Sequence, residues 1–527
     1  MNFDFPYPSQ RMPIMASNVV ASSQPLAVQA GLSAMKKGGN AVDAAIATAI
    51  TLTVVEPTSN GLGSDAFCIL WDGGKLHALN ASGRSPAALT AERFAGKDKV
   101  PLRGWDAVTV PGAVSAWLEL SKKFGKLDFQ ELFTDAINYA KNGFMVSPIT
   151  ARAWSKAAEV LVNFPEFNKT FLINGRAPRA GELFKNPAQA KTLELIAKTK
   201  AETFYRGEIA GKIIADAQKH DSVMSLQDLA EHRADWVETI SIDYGKIKLH
   251  EIPPNGQGLA ALIALGILRH KGIKQYPLDS ADSLHLQIEA MKLAFADIYH
   301  YLADEEYMEI NPNELLSDSY LSKRTELIDM NRAKNPKHGL PDKSGTVYLT
   351  TADENGMMVS YIQSNYHGFG SGIVIPETGI SMQNRGAGFS LKAGHPNIVA
   401  GAKRPFHTII PAFVTRDNKP LMSFGVMGGP MQAQGHVQMI LRIFDYKQNP
   451  QAASDAPRWQ VLQGLEVAVE QGFSQSVLRD LEARGHKLHQ AELNIDFSFG
   501  GAQLIYKTQS GFIAGSDSRK DGLAAGY

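Results

Sequence analysis

Cysteine is nearly absent. Cys68 is the only one in 527 residues, which excludes an internal disulfide and any metal cluster built on several thiolates. It lies in the apolar run AFCIL and reads as a buried structural thiol. Net charge is also lacking: 53 Lys and Arg balance 53 Asp and Glu. No field therefore steers the chain toward nucleic acid or an anionic membrane, and neither is expected as a partner. No segment reaches the roughly 18 unbroken apolar residues of a membrane span. The opening MNFDFPYPSQRMPIMAS has no basic start followed by an apolar core, so a secretory signal is not expected and the expected location is cytoplasmic. Repeats, low-complexity linkers, Gly-x-Ser-x-Gly, His-Glu-x-x-His and phosphate-loop motifs are missing as well. SNGLGSDAF holds a Gly-x-Gly, but the third fingerprint glycine is absent and a helix precedes it, which argues against a dinucleotide site.

What is present is the composition of an ordinary soluble enzyme, 44% hydrophobic and 20% charged, in a chain long enough for a large core. Pro25 to Lys37 reads as a helix closed by Gly38-Gly39. Asn40 then caps a second helix, AVDAAIATAITLTVV, apolar or small nearly all round and so expected to be buried. In Asp282 to Leu302, Leu284, Ile288, Met291 and Phe295 fall at helical spacing and read as core. After about residue 335 the character changes. NPKHGLPDKSG reads as an exposed loop and runs straight into a hairpin, with one strand at Thr346 to Thr351, a turn at Glu354-Asn355-Gly356, and a second strand. GSGIVIPETGISMQN and PAFVTRDNKPLMSFGV read as further hairpins. Buried helices in the first half with strands in both halves predict a layered α+β fold.

The junction Gly345-Thr346 carries the chemical suggestion. A hydroxyl is a poor nucleophile near neutral pH without a base beside it. A threonine at a chain terminus carries its own base, since a free α-amine has a pKa of about 7.7–8.0 and can take the hydroxyl proton. Exposing that amine requires a cut before Thr346, and Gly345 adds no side chain to obstruct attack on its carbonyl. GVMGG at 425–429 follows a strand and ends in a glycine pair whose N–H groups could hold an oxyanion; a simple turn is the plainer alternative.

Motifs along nearly the whole chain resemble the γ-glutamyltranspeptidase family. They run, in the family's order, GGNAVDAAIATAITLTVVEPTSNGLGSDAF, VTVPGAVSAW, ETFYRGEIA, IPPNGQG, EAMKLAFAD, FGSGIVIPETGI, AGAKRPFHTIIPA, GVMGGPMQAQGHVQ, DAPRW, VEQGFSQSVLRDLEARGH and GSDSRKDGLAAGY. The resemblance implies a four-layer αββα N-terminal-nucleophile hydrolase cut into two fragments, residues 1–345 and 346–527, that form one compact domain. It implies catalytic roles for Thr346 as nucleophile, Ser364 as its supporting hydroxyl, and Gly428 and Gly429 as oxyanion donors. No metal or organic cofactor is implied. The partners are a small amide substrate and the chain's own two fragments, with a homodimer of the processed pair left open.

The substrate clamp departs from the family pattern. Its arginine position is Ser82, with Arg84 two residues later, and its serine pair is His407-Thr408. The two positions that meet an α-ammonium are Arg385 and Gly388, with Asn384 beside them. An ammonium next to Arg385 in a poorly solvated pocket is disfavoured, whereas a carboxylate there gains a charge-assisted pair. The expected acyl group is therefore small, anionic and without the α-amine of glutamate, as in oxamate or a dicarboxylic amide. The competing readings are an Arg385 that points outward or pairs with a neighbouring acid and leaves γ-glutamyl binding intact, as for a glutathione hydrolase or transpeptidase, and a non-catalytic, uncleaved relative. Val347 and Tyr348 stand where Thr and His are common; strand alternation turns Val347 away from the site.

Overall fold

The computed structural model describes residues 10–336, 345–491 and 497–527. Most of the expected loop NPKHGLPDKSG, residues 337–344, lies outside them.

Two seven-stranded sheets pack face to face, with helices on both outer surfaces, as the αββα expectation requires. At the centre of the first sheet are β1 (Val19–Ser22), β2 (Asp65–Trp71), β3 (Gly345–Ala352) and β4 (Met358–Tyr366), in the order β1-β3-β4-β2. Central strands of the second are β5 (Ala412–Arg416), β6 (Lys419–Val426) and β7 (Ala502–Lys507). Residues before and after Thr346 contribute strands to both sheets, so the two segments share one hydrophobic interior.

Local sequence explains the elements. Asn40 caps α1 (Ala41–Val55) and closes a capping box with Asp43, and every residue of this helix is buried against the β3–β4 face. On the opposite outer face lie α2 (Gly258–Lys271) and α3 (Ala281–Tyr301), the latter one residue away from its expected bounds at each end. The β5–β6 hairpin turns on Asp417 and Asn418, both at positive φ (50° and 57°), the left-handed pair that a two-residue turn between twisted strands demands. FGSGIVIPETGI forms only a two-residue ladder, Val374–Ile375 with Ile380–Ser381. Cys68 is buried within β2.

Alternation along β3 sets the site. Val347 and Leu349 belong to the core on the α1 side, as expected for Val347, while Tyr348 belongs to the core between the sheets. Thr350 reaches across that layer to Ser423 of β6, Oγ to Oγ 2.6 Å. Thr346, two residues before Tyr348, shares this inward face.

Candidate active site

Thr346 is fully buried at the start of β3. The register slips here: Gly345 pairs with Tyr366 and Val347 with Gln363, leaving Thr346 in the irregularity. The extra residue lies on β4, where Ser364 and Asn365 together oppose Thr346, so alternation along β3 is kept. Thr346 Oγ1 lies 3.3 Å from Ser364 Oγ on β4. Ser364 Oγ also accepts the Tyr366 N–H at 2.8 Å, which holds the serine side chain in place. Gln432 Nε2 stands 3.5 Å from Thr346 Oγ1. The orientation of that amide is fixed because Gln432 Oε1 accepts the Ile410 N–H at 2.9 Å.

Opposite the threonine, β6 ends at Val426 and the chain turns through Gly428 (φ 114°) and Gly429 (φ 62°) into α4 (Met431–Ile440). Both glycines occupy conformations that disfavour a side chain, and a Cβ on Gly428 would also come within 3.1 Å of Gly500. The carbonyls of the turn are engaged: Gly428 O by Met431 N, and Gly429 O by Gln432 N and by Gln257 Nε2 at 2.8 Å. Neither glycine N–H donates to another group among the described residues, so both remain available to an oxyanion. Gln257 Nε2 also contacts the Thr408 carbonyl at 2.5 Å, tying the glycine turn to the segment that carries Thr408.

Arg385 is fully buried, stacked over the Tyr366 ring with its guanidinium carbon 4.2 Å from the centroid. One nitrogen, Nη1, donates to Thr408 Oγ1 at 2.8 Å; Nε and Nη2 are buried without a partner. No carboxylate lies within ion-pair distance of it among the described residues. The competing reading, in which a neighbouring acid neutralises Arg385, therefore has no ion pair behind it. Burial pushes its pKa down to about 10, against the pull of Tyr366 and Asp65. Tyr366 itself is held at φ 75°, an uncommon backbone state for an aromatic residue.

Asp65 is the nearby acid. It pairs with Ser364 in the ladder, its Oδ1 accepts the Gly83 N–H at 3.1 Å, and its Oδ2 lies 3.1 Å from His407 Nε2. Burial pushes its carboxyl up to about 7, with Arg385 pulling the other way. His407 is held well below its ordinary pKa by burial and then by Arg385, so it is neutral. Its Nδ1 accepts the Ile409 N–H at 3.3 Å, which makes Nε2 the protonated nitrogen that donates to Asp65.

The expected site residues thus divide. Thr346 and Ser364 touch, Gln432 links Thr346 to the Gly428–Gly429 turn, and Arg385 and Thr408 touch each other. His407 is spent on Asp65 and Ile409. Arg84 is committed to Asp304 at 3.0 Å and faces Asp235 at 4.0 Å, with its side chain about a third exposed. Asn384 braces the backbone, donating to Leu102 O and accepting from His367 N. Ser82 turns onto Asn80 Oδ1. At Gly388 a Cβ would sit 2.6 Å from the Phe406 carbonyl oxygen, so the acidic side chain of the family pattern has no room here. Asp65, Gln257, Tyr366 and Gln432 escaped sequence reasoning. Their signal, a polar side chain in an apolar or glycine-rich run, is common wherever chains turn.

A buried pair of hydroxyls near a glycine turn, inside an αββα sandwich, is an arrangement suited to acyl-transfer chemistry. The γ-glutamyltranspeptidase family model matches residues 27–527, and the chain belongs to that family of N-terminal-nucleophile amidohydrolases and acylases, which are made as self-processing proenzymes. It is 36% identical over 524 residues to the glutathione hydrolase-like YwrD proenzyme of Bacillus subtilis, covering 97% of this chain and 99% of that protein. To the oxamate amidohydrolase proenzyme of Klebsiella pneumoniae it is 35% identical over 517 residues, covering 95% and 97%. Among solved structures, cephalosporin acylase from Bacillus halodurans superposes with a TM-score of 0.96 at 47% identity, covering 100% of this chain and 99% of that one.

Proposed function

We propose that the chain cuts itself before Thr346 and then hydrolyses a small amide whose acyl group is anionic and carries no α-ammonium. The observation behind this reading is the buried Arg385, which among the described residues has two unpaired donors and no carboxylate within ion-pair distance. A desolvated cation of this kind is costly unless a ligand supplies the missing charge.

In the precursor, Thr346 Oγ1 attacks the Gly345 carbonyl carbon and the peptide nitrogen leaves, giving an ester. Water cleaves that ester, producing a carboxylate on Gly345 and a free amine on Thr346. In each later cycle this amine takes the Oγ1 proton as the oxygen attacks the substrate carbonyl. Gly428 and Gly429 N–H groups hold the oxyanion, and the amine returns its proton to the leaving nitrogen. Water then hydrolyses the acyl-threonine. Ser364 and Gln432 orient Oγ1, while Arg385 and Thr408 hold the acyl carboxylate.

The relative named oxamate amidohydrolase fits this pocket, because oxamate carries a carboxylate next to its amide. The relative named glutathione hydrolase-like supports a second reading, in which a γ-glutamyl α-carboxylate lies on Arg385 and its ammonium finds another partner. Comparing kcat/KM for oxamate, a dicarboxylic monoanilide and a γ-glutamyl anilide separates them. A preference for the γ-glutamyl anilide over both others contradicts the first reading.

A further inference from the structure

Remote from Thr346, helix α3 presents His285 and Glu289 one turn apart, so their side chains share a face. Against that face lies His486, just after the helix Gln475–Ala483. All three residues are buried. His285 Nδ1 is 2.8 Å from His486 Nε2, and His486 Nε2 is 4.0 Å from Glu289 Oε1. One atom from each residue, two ring nitrogens and a carboxylate oxygen, thus lies within 4.8 Å of the others.

The tautomer of His285 is set from behind. Its Nε2 faces the Asp329 carbonyl at 2.9 Å, which can only accept, so the proton is on Nε2 and the Nδ1 lone pair points into the cluster. A backbone carbonyl fixing the distal nitrogen is how ligating histidines are oriented. Glu289 is steadied in turn by the Lys334 N–H on Oε2 at 3.1 Å. Access exists as well: Glu289 and Lys292 line a cavity of about 430 Å³, together with Asp297, His300, Arg324 and Lys334. The opposing charge is Lys292, whose ammonium contacts Glu289 Oε1 and also donates to Lys334 O at 2.6 Å.

We propose that His285, Glu289 and His486 form a zinc site, with the Lys292 ammonium as the built-in competitor for Glu289 Oε1. Two imidazoles and one carboxylate suit Zn²⁺ at about 2.0–2.1 Å per ligand, with water as the fourth ligand. Their present spacings of 2.8 and 4.0 Å straddle the separation such a geometry needs. His486 Nε2 now carries the proton shared with His285 Nδ1, and on ion entry that proton moves to His486 Nδ1 while small rotamer changes close the site. On entry of the ion the ammonium swings off Oε1 and keeps Lys334 O. The site acts as a clasp. It joins His285 and Glu289, which precede Thr346, to His486, which follows it, so in a chain cut as proposed above the ion links the two fragments.

Zinc sulfate titrated by calorimetry into chelator-treated protein tests this. One Zn²⁺ per chain is expected, with binding weakened more than about tenfold in His285→Ala and His486→Ala. Lys292→Met keeps all three ligands and much of the side-chain volume, and is expected to tighten binding by about tenfold. Cobalt in the same variant is expected to show the visible bands of a four-coordinate ion. Absence of saturable zinc binding in both the wild type and Lys292→Met overturns the proposal, as does binding unchanged by loss of either histidine. If the histidine variants fail to fold, Lys292→Met and the cobalt spectrum still decide it.

Discussion

Thr346 Oγ1 and Ser364 Oγ face each other at 3.3 Å across adjacent strands, with the ladder slipped at Thr346. The serine is anchored by the Tyr366 N–H, so its hydroxyl is held against that of Thr346. Ser364→Ala should retain the fold but lower kcat about a hundredfold, while Ser364→Thr keeps the hydroxyl and most of the rate. Steady-state kinetics on any accepted amide measures this.

Loss of Arg385 should act on substrate choice. Arg385→Leu leaves an anionic acyl group in a pocket without a cation, costing about 2–5 kcal/mol in kcat/KM for oxamate. An uncharged acyl anilide should lose far less. Arg385→Lys should rescue poorly, since one ammonium cannot both reach Thr408 and offer two further donors along the stacked plane over Tyr366.

The glycine turn gives a third expectation. At Gly429 the positive φ makes any L-residue strained, so Gly429→Ala should disturb both the turn and its N–H. A fall of about 10²–10³ in kcat with little change in KM is expected if that N–H serves the oxyanion. Gln257→Leu removes the amide that engages Gly429 O and Thr408 O together, and should lower kcat and weaken anion binding at once.

Asp65 gives the pocket a pH dependence. Its carboxyl titrates at about 7, facing the neutral His407 and the cations Arg385 and Arg404. Below that pH it is uncharged and Arg385 attracts an anion unopposed; above it the carboxylate offsets the guanidinium. The Ki of oxalate, an inert dianion, should therefore rise as pH passes upward through 7, and Asp65→Asn should flatten that rise. A wild-type Ki that falls across the same interval contradicts the assignment.

Much of this architecture was legible in the residues. Asn40 with Asp43 marks the first buried helix, Asp417-Asn418 marks a tight turn, and the change after residue 335 marks the junction at Gly345-Thr346. The bulge at Ser364 and Asn365, opposite Thr346, was hidden, because register depends on the partner strand. So were the Asp65–His407 pair, 342 residues apart in sequence, and the commitment of Arg84 to Asp304. These arise where β2, the Arg385 turn and the His407 segment meet, and no local pattern encodes that meeting. Gly388 shows the same limit: its missing side chain reads as a lost ligand in sequence, but in the fold the Phe406 carbonyl occupies the space.

In the mechanism proposed above, Thr346 becomes a chain terminus by its own chemistry. Intact mass and N-terminal sequencing of the purified protein test it directly. The account predicts two fragments, residues 1–345 and 346–527, the second beginning with Thr346, and an uncut 57.3 kDa chain without amidase activity for Thr346→Ala. A wild-type chain that hydrolyses amides while remaining whole, or a Thr346→Ala chain that is still cut at Gly345, would contradict it.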